Sequence, residues 1–181
     1  MDLREQKYLI VDDRLNAEPE IARWLWTFQD ARQRTLSNLD GLDQATIDWL
    51  PPHNESSIGT VLYHLALIEA DWLYSEVLEQ PYPQEVVALF PYDHREAQGL
   101  LTQVQGFSLD QHLERLATVR KLVLDVFQRM SLEDFRRVRS LPDYDVTPEW
   151  VLHHLMQHEA EHRSQLGALR TAAERALSQP A

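Results

Sequence analysis

The chain has 181 residues, 25% of them charged, and a formal net charge of −12. That is enough for one folded domain over 1–181, and the acidic balance argues against a nucleic-acid partner, because phosphate binding needs clustered Lys and Arg. There is no cysteine, which excludes disulfides, thiolate-held zinc and a thiolate nucleophile, so ligands and nucleophiles must come from other side chains.

Taken in chain order, the opening stretch MDLREQKYLIVDDRL breaks its apolar run at Asp12 and Asp13. It is too short and too charged for a signal peptide or a membrane span, so a cytoplasmic protein without membrane contact is expected. A first helix is predicted over 20–39, with Ile21, Trp24, Leu25, Phe28 and Leu36 at helical spacing. Gly41 and then WLPPHN end it. A second helix is predicted over 56–78, capped by Ser56 or Ser57, with Ile58, Val61, Leu65, Ile68 and Trp72 along one stripe. The joint after it, EQPYPQEVVALFPYD, carries three prolines, and the connection runs on to about residue 107. A segment that long is either a functional lid or a crossover that sets two helices parallel.

A third helix is predicted over 108–130, with Ser108 and Gln111 as a capping box and Leu109, Leu113, Leu116, Val123 and Phe127 as its buried face. Within it the charged run ERLATVRK reads as a solvated face. The fourth helix, 147–177, opens on Thr147-Pro148-Glu149: an N-cap, a proline at the first position and an early carboxylate. No stretch has the sustained alternation of a sheet and no Asn-Gly or Asp-Gly marks a hairpin. An all-α four-helix bundle with a long crossover between helices 2 and 3 accounts for these patterns.

The fourth helix carries His158-Glu159-Ala160-Glu161-His162, a literal H-E-x-x-H. A zinc protease needs a third ligand, and the extended protease motif would put Gly at 165 and His at 168. The chain has Gln165 and Ala168 there, and downstream only Glu174, on the same helix. No edge strand is predicted to hold a peptide either, so the protease reading fails. At about 100° per residue, His154, His158 and His162 share a stripe with Val151, Leu155 and Leu169. His154 and His162 stand roughly 12 Å apart along the axis, too far to hold one ion together. The helix therefore offers an adjacent pair, either His154 with His158 or His158 with His162, and another helix must add a third nitrogen. His64, at the edge of the second helix's apolar stripe, is the candidate. His53, His94 and His112 fall in loops or near a helix start, where the pattern does not turn them inward.

SSIGTVLYHLALIEADWLYSEVL followed at a distance by VTPEWVLHHLMQHEAEHRSQL resembles the DinB-like superfamily of metal-dependent enzymes. The likeness runs from about Ile21 to Leu169 and takes in MSLEDF and the PYP and LFP elements of the long connection. It implies a four-helix bundle of up-down-down-up topology and a His triad made of one residue from the second helix and an i, i+4 pair from the fourth. Carried over, the triad is His64, His158 and His162, with His154 a neighbour. Where the family carries H-R-G-Q, this chain has His162-Arg163-Ser164-Gln165.

Three neutral imidazoles leave a coordination position open, as catalytic metal sites do, and the donor set suits Zn, Ni, Fe, Mn or Cu. The resemblance implies either a metal-dependent hydrolase or a bacterial enzyme transferring low-molecular-weight thiols, acting on a small molecule. Glu159 is the expected base, and Asp71 and Gln165 are expected as outer partners, Asp71 orienting the His64 ring. A non-catalytic, stress-associated metal-binding or dimerisation module is the alternative, and a homodimer through an exposed helix face is expected.

Overall fold

A computed structural model describes residues 10–52, 56–96 and 99–178. His53 lies outside these residues. Among the described residues the chain is mostly helical, with one two-stranded sheet beside the helices. The four long helical patterns of the sequence all form, with shifted boundaries. Helix α1 (Pro19–Leu36) is shorter at its end than expected, because Asn38 and Leu39 donate to Thr35 and Leu36 carbonyls in a tight final turn. Gly41, at φ 74°, turns the chain in the left-handed region that suits glycine. The stretch that reads as a plain joint then forms one short helix, α2 (Gln44–Asp48), whose first turn Asp43 caps through the Thr46 amide at 2.8 Å.

Ser57, not Ser56, caps α3 (Ile58–Asp71), accepting from the Thr60 amide at 3.1 Å. The helix does not run on to residue 78 as an α-helix. From Trp72 to Val77 it widens into a π-helical turn, closed by the Leu78 amide on the Leu73 carbonyl at 2.9 Å. Such turns are rare and recur beside functional sites. Glu79, at φ 53°, then ends the element.

The long connection holds a short helix, α4 (Gln84–Val87), and is fastened to α3 along its length. Tyr82 donates to Asp71 at 3.0 Å, Tyr63 donates to the Tyr92 carbonyl at 2.9 Å, and Val104 donates to Thr60 at 2.9 Å. Helix α5 (Leu109–Phe127) opens on the capping box: Ser108 accepts from the Gln111 amide, and Gln111 accepts from the Ser108 amide. MSLEDF becomes α6 (Leu132–Arg136), capped by Ser131. Two strands that the sequence pattern does not announce come next, β1 (Arg139–Ser140) and β2 (Asp145–Val146), antiparallel with Arg139 opposite Val146. They are two residues each, too short for alternation to register. Helix α7 (Pro148–Leu177) is the longest, started by Thr147 on the Trp150 amide at 3.2 Å.

Helix α3 packs against α5 and α7, and α1 packs against α7 and α5. Phe28, Leu65, Leu116, Phe127 and Leu152 are among the side chains that meet in the core. Nearly every residue of α3 is buried, so any polar side chain on it must find its partner inside the protein. Among the described residues no helix is long and apolar enough to cross a membrane.

Candidate metal centre

Two polar residues of α3, His64 and Glu69, are buried on the sides of the helix that meet its neighbours, and each belongs to a different cluster. His64 meets α7. Its Nε2 lies 3.1 Å from His158 Nε2, which in turn lies 3.1 Å from His162 Nε2. The three rings form a group whose ligand atoms all fall within 4.8 Å of one another. A neutral imidazole has at Nε2 either one N–H or one lone pair, so His158 cannot pair well with both neighbours by hydrogen bonding, and the group could hold a metal ion instead. The spacing fits one: at the usual metal–imidazole bond of about 2.0–2.1 Å, donors stand roughly 2.9 Å apart at a right angle and roughly 3.4 Å apart at a tetrahedral angle. The two separations from His158, each 3.1 Å, fall between.

The electrostatics keep the His64 and His158 rings in ligand form. Burial, with the nearby His158, His162 and His94, pushes the His64 pKa down to about 2. Burial and the His162 and His154 rings push His158 down to about 3. Both are neutral at pH 7, as metal ligands must be. His162 Nδ1 donates to Gln165 Oε1 at 2.7 Å, which leaves its Nε2 as the lone pair facing the group.

His154 stacks on Trp150 at 5.2 Å and 4°, lies 4.3 Å from the Trp72 ring, and stands 5.9 Å from the His158 ring. It is a neighbour of the three imidazoles. Asp71 accepts from Tyr82 at 3.0 Å and Ser75 at 3.4 Å, not from His64. The residue on His64 Nδ1 is His94, whose Nε2 lies at 3.1 Å with the two rings stacked at 5.0 Å and 7°. The sequence pattern gives His94 a place in a loop and nothing to turn it inward. It is in the loop, but the loop folds back over α3, and no periodicity within a loop can signal that.

Glu159 has a different setting from the base expected of it. It is 1% exposed, and its two oxygens accept from Arg32 Nε at 2.7 Å and Arg120 Nη2 at 2.6 Å. Burial pushes its carboxyl up, but Arg32 and Arg120 outweigh burial and hold it below the usual range. Its oxygens turn to the two guanidinium groups, and the favoured anionic form makes it a weaker base than a free carboxylate. Glu69 completes the cluster, bonded to Arg32 Nη2 at 2.5 Å and to Arg120. The guanidinium groups spend further donors on the Leu116 and Phe28 carbonyls, and Arg120 lies 3.5 Å over the Phe28 ring. All four side chains are buried.

The run ERLATVRK is therefore not a solvated face throughout: Arg115 and Arg120 are buried. The signal is present in the spacing, because Arg120 falls on the stripe Leu113, Leu116, Arg120, Val123, Phe127. His112 is likewise buried, at 1% exposure, although it lies in the first turn of α5. Gly59 makes the room: a Cβ there would sit 3.1 Å from His112 Nε2 and 3.2 Å from the Val104 carbonyl.

Two clefts flank the imidazoles. One of about 510 Å³ is lined by Trp72, Tyr144, Asp145, Val146 and Trp150 among others, and it adjoins His154 through the two tryptophans. The other, about 270 Å³, is lined by Ile68, Asp71, Tyr82, Phe90 and His94 among others. Neither is lined by His64, His158 or His162 themselves.

The DinB superfamily model matches residues 27–166. No curated protein matches the chain. The match covers α3, α5 and the part of α7 that bears the imidazoles, and with most of its length matched the chain belongs to the DinB superfamily.

Proposed function

We propose that this protein is a metal-dependent enzyme in which His64, His158 and His162 hold one divalent ion and a small molecule is the substrate. The observation that carries the reading is the convergence of three imidazoles, two pairs of Nε2 atoms standing 3.1 Å apart where α3 meets α7. An ion held by His64, His158 and His162 would supply Lewis-acid chemistry to a substrate oxygen or sulfur. The reaction is hydrolysis or transfer of a low-molecular-weight thiol.

The chain's own residues supply the rest. Gln165 orients His162 through Nδ1. The tryptophan-lined cleft beside His154 takes the apolar part of the substrate, since pockets of this size are lined mainly by apolar and aromatic groups with a few polar ones. The net charge of −12 supports a small molecule over nucleic acid. The four long helices are read as an up-down-down-up bundle, the long connection letting α3 and α5 run parallel. A cytoplasmic homodimer is the expected form.

The test is metal content by plasma mass spectrometry on untagged protein purified without a chelating column, with His158→Ala alongside. About one ion per chain, lost in the variant, supports the centre. Screening of esters and thiol adducts comes next, and turnover that His158→Ala removes without unfolding the chain identifies the enzyme. Metal uptake with no turnover on either substrate class would make it a metal-binding module instead.

A further inference from the structure

Beyond the three imidazoles themselves, we infer that His94 on the long connection is a positioning residue of the metal centre: it fixes the ring of His64, and metal binding in turn fastens the connection onto α3. This role rests on the reading of His64, His158 and His162 as ligands.

A neutral imidazole has one N–H, so the protons on the His64 ring can be counted. If His64 presents the Nε2 lone pair toward His158, its proton sits on Nδ1, and Nδ1–H donates to His94 Nε2 at 3.1 Å. The stacking of the two rings, 5.0 Å apart and 7° from parallel, limits rotation of His64 about its side chain. His94 thus selects both the tautomer and the orientation a ligand needs. Gln165 does the same for His162, so two of the three ligands are held from outside.

The two holders differ in where they come from. Gln165 is on the same helix as its ligand, one turn away. His94 lies 30 residues along the chain from His64, on a segment tied to α3 by the Tyr63 hydroxyl, which donates to the Tyr92 carbonyl at 2.9 Å and accepts from the Tyr92 amide at 3.0 Å. A metal on Nε2 makes the Nδ1–H of the same ring a stronger donor, so the His64–His94 bond strengthens on binding. Coupling of this kind is reciprocal: whatever factor His94 contributes to metal affinity, the metal returns to the docking of the connection.

The experiment measures the Zn(II) dissociation constant by competition with a chromophoric chelator, for the full chain and for His94→Ala and His94→Gln. Loss of an outer hydrogen-bond partner weakens metal binding by about 10- to 100-fold, and that is the loss expected for His94→Ala. Gln, which places an acceptor oxygen where His94 has Nε2, is expected to recover most of it. Hydrogen exchange over residues 90–96 with and without Zn(II) gives the second readout, protection rising with metal in the wild type and not in His94→Ala. An unchanged constant in His94→Ala, or His94→Gln no better than His94→Ala, overturns the role of His94 alone. Failure of the wild-type chain to bind Zn(II) overturns the metal reading beneath it.

Discussion

His158 and Glu159 are adjacent on α7, yet they enter opposite kinds of polar cluster. Glu159 joins Arg32, Glu69 and Arg120, two cations and two anions whose charges cancel and whose hydrogen bonds close on one another and on backbone carbonyls. His158 joins His64 and His162, three like groups whose acceptor atoms face inward. The first cluster is complete without anything added. The second leaves its converging nitrogens unmatched, and on the proposed reading a cation completes it. A buried polar group is not by itself a sign of function; what separates the two is whether the members satisfy one another.

The largest effect comes from breaking the closed cluster. Glu159→Gln leaves two guanidinium groups facing one carboxylate, and removing one partner of a buried ion pair costs about 3–5 kcal/mol. Urea denaturation should show that loss, and a variant as stable as the wild type would mean that the cluster is open to water.

A lone buried imidazole gives a control for the three. The Nε2 of His112 has no hydrogen-bond partner among the described residues, and burial, with Arg115 beside it, lowers its pKa from 6.5 to about 4. The unfolded chain therefore takes up a proton that the folded chain refuses. Stability from this group is full above pH 6.5, declines as the pH falls, and is gone below about 4. The decline amounts to at most about 3 kcal/mol. Denaturation curves from pH 7 to pH 4 should be less steep in pH for His112→Leu than for the wild type; parallel slopes would show that His112 does not contribute.

The open cluster should respond to its ligand. At a metal concentration of about a hundred times the dissociation constant, binding adds about 2.7 kcal/mol of stability. Thermal melts with and without Zn(II) should show that gain in the wild type and lose it in His158→Ala, whereas Glu159→Gln, if it folds, should retain it. Loss of the response in both variants would mean that the two clusters act as one.

How much of the fold and the centre is legible in the sequence depends on where each residue sits. Helical spacing narrows the site to His64 and one of two i, i+4 pairs on α7, and the family resemblance picks His158 with His162 over His154 with His158. The capping box at Ser108 and the Thr147-Pro148 start are legible as well, being local. The closed cluster is legible in part, since Arg120 keeps step with Leu116 and Val123, but a charge within an apolar stripe is easily read as its solvated edge. His94 is not legible, because its position depends on how a proline-containing connection folds back, and that is decided by distant partners such as Tyr63 and Asp71. The π-helical turn is hidden too, since WLYSEV carries no breaker.

That turn, Trp72–Val77, amounts to one residue more than an α-helix would use over the same rise. The wide turn takes up that surplus residue, so the residues beyond it keep the phase that a regular helix would give them relative to His64. Deleting one residue inside the turn would let it close in α form with little shift of the chain beyond, whereas the same deletion in the α-helical part of α3 would turn every later residue by about 100°. The stretch between Asp71 and Tyr82 can therefore lose one residue there and still keep the hydrogen bond between them.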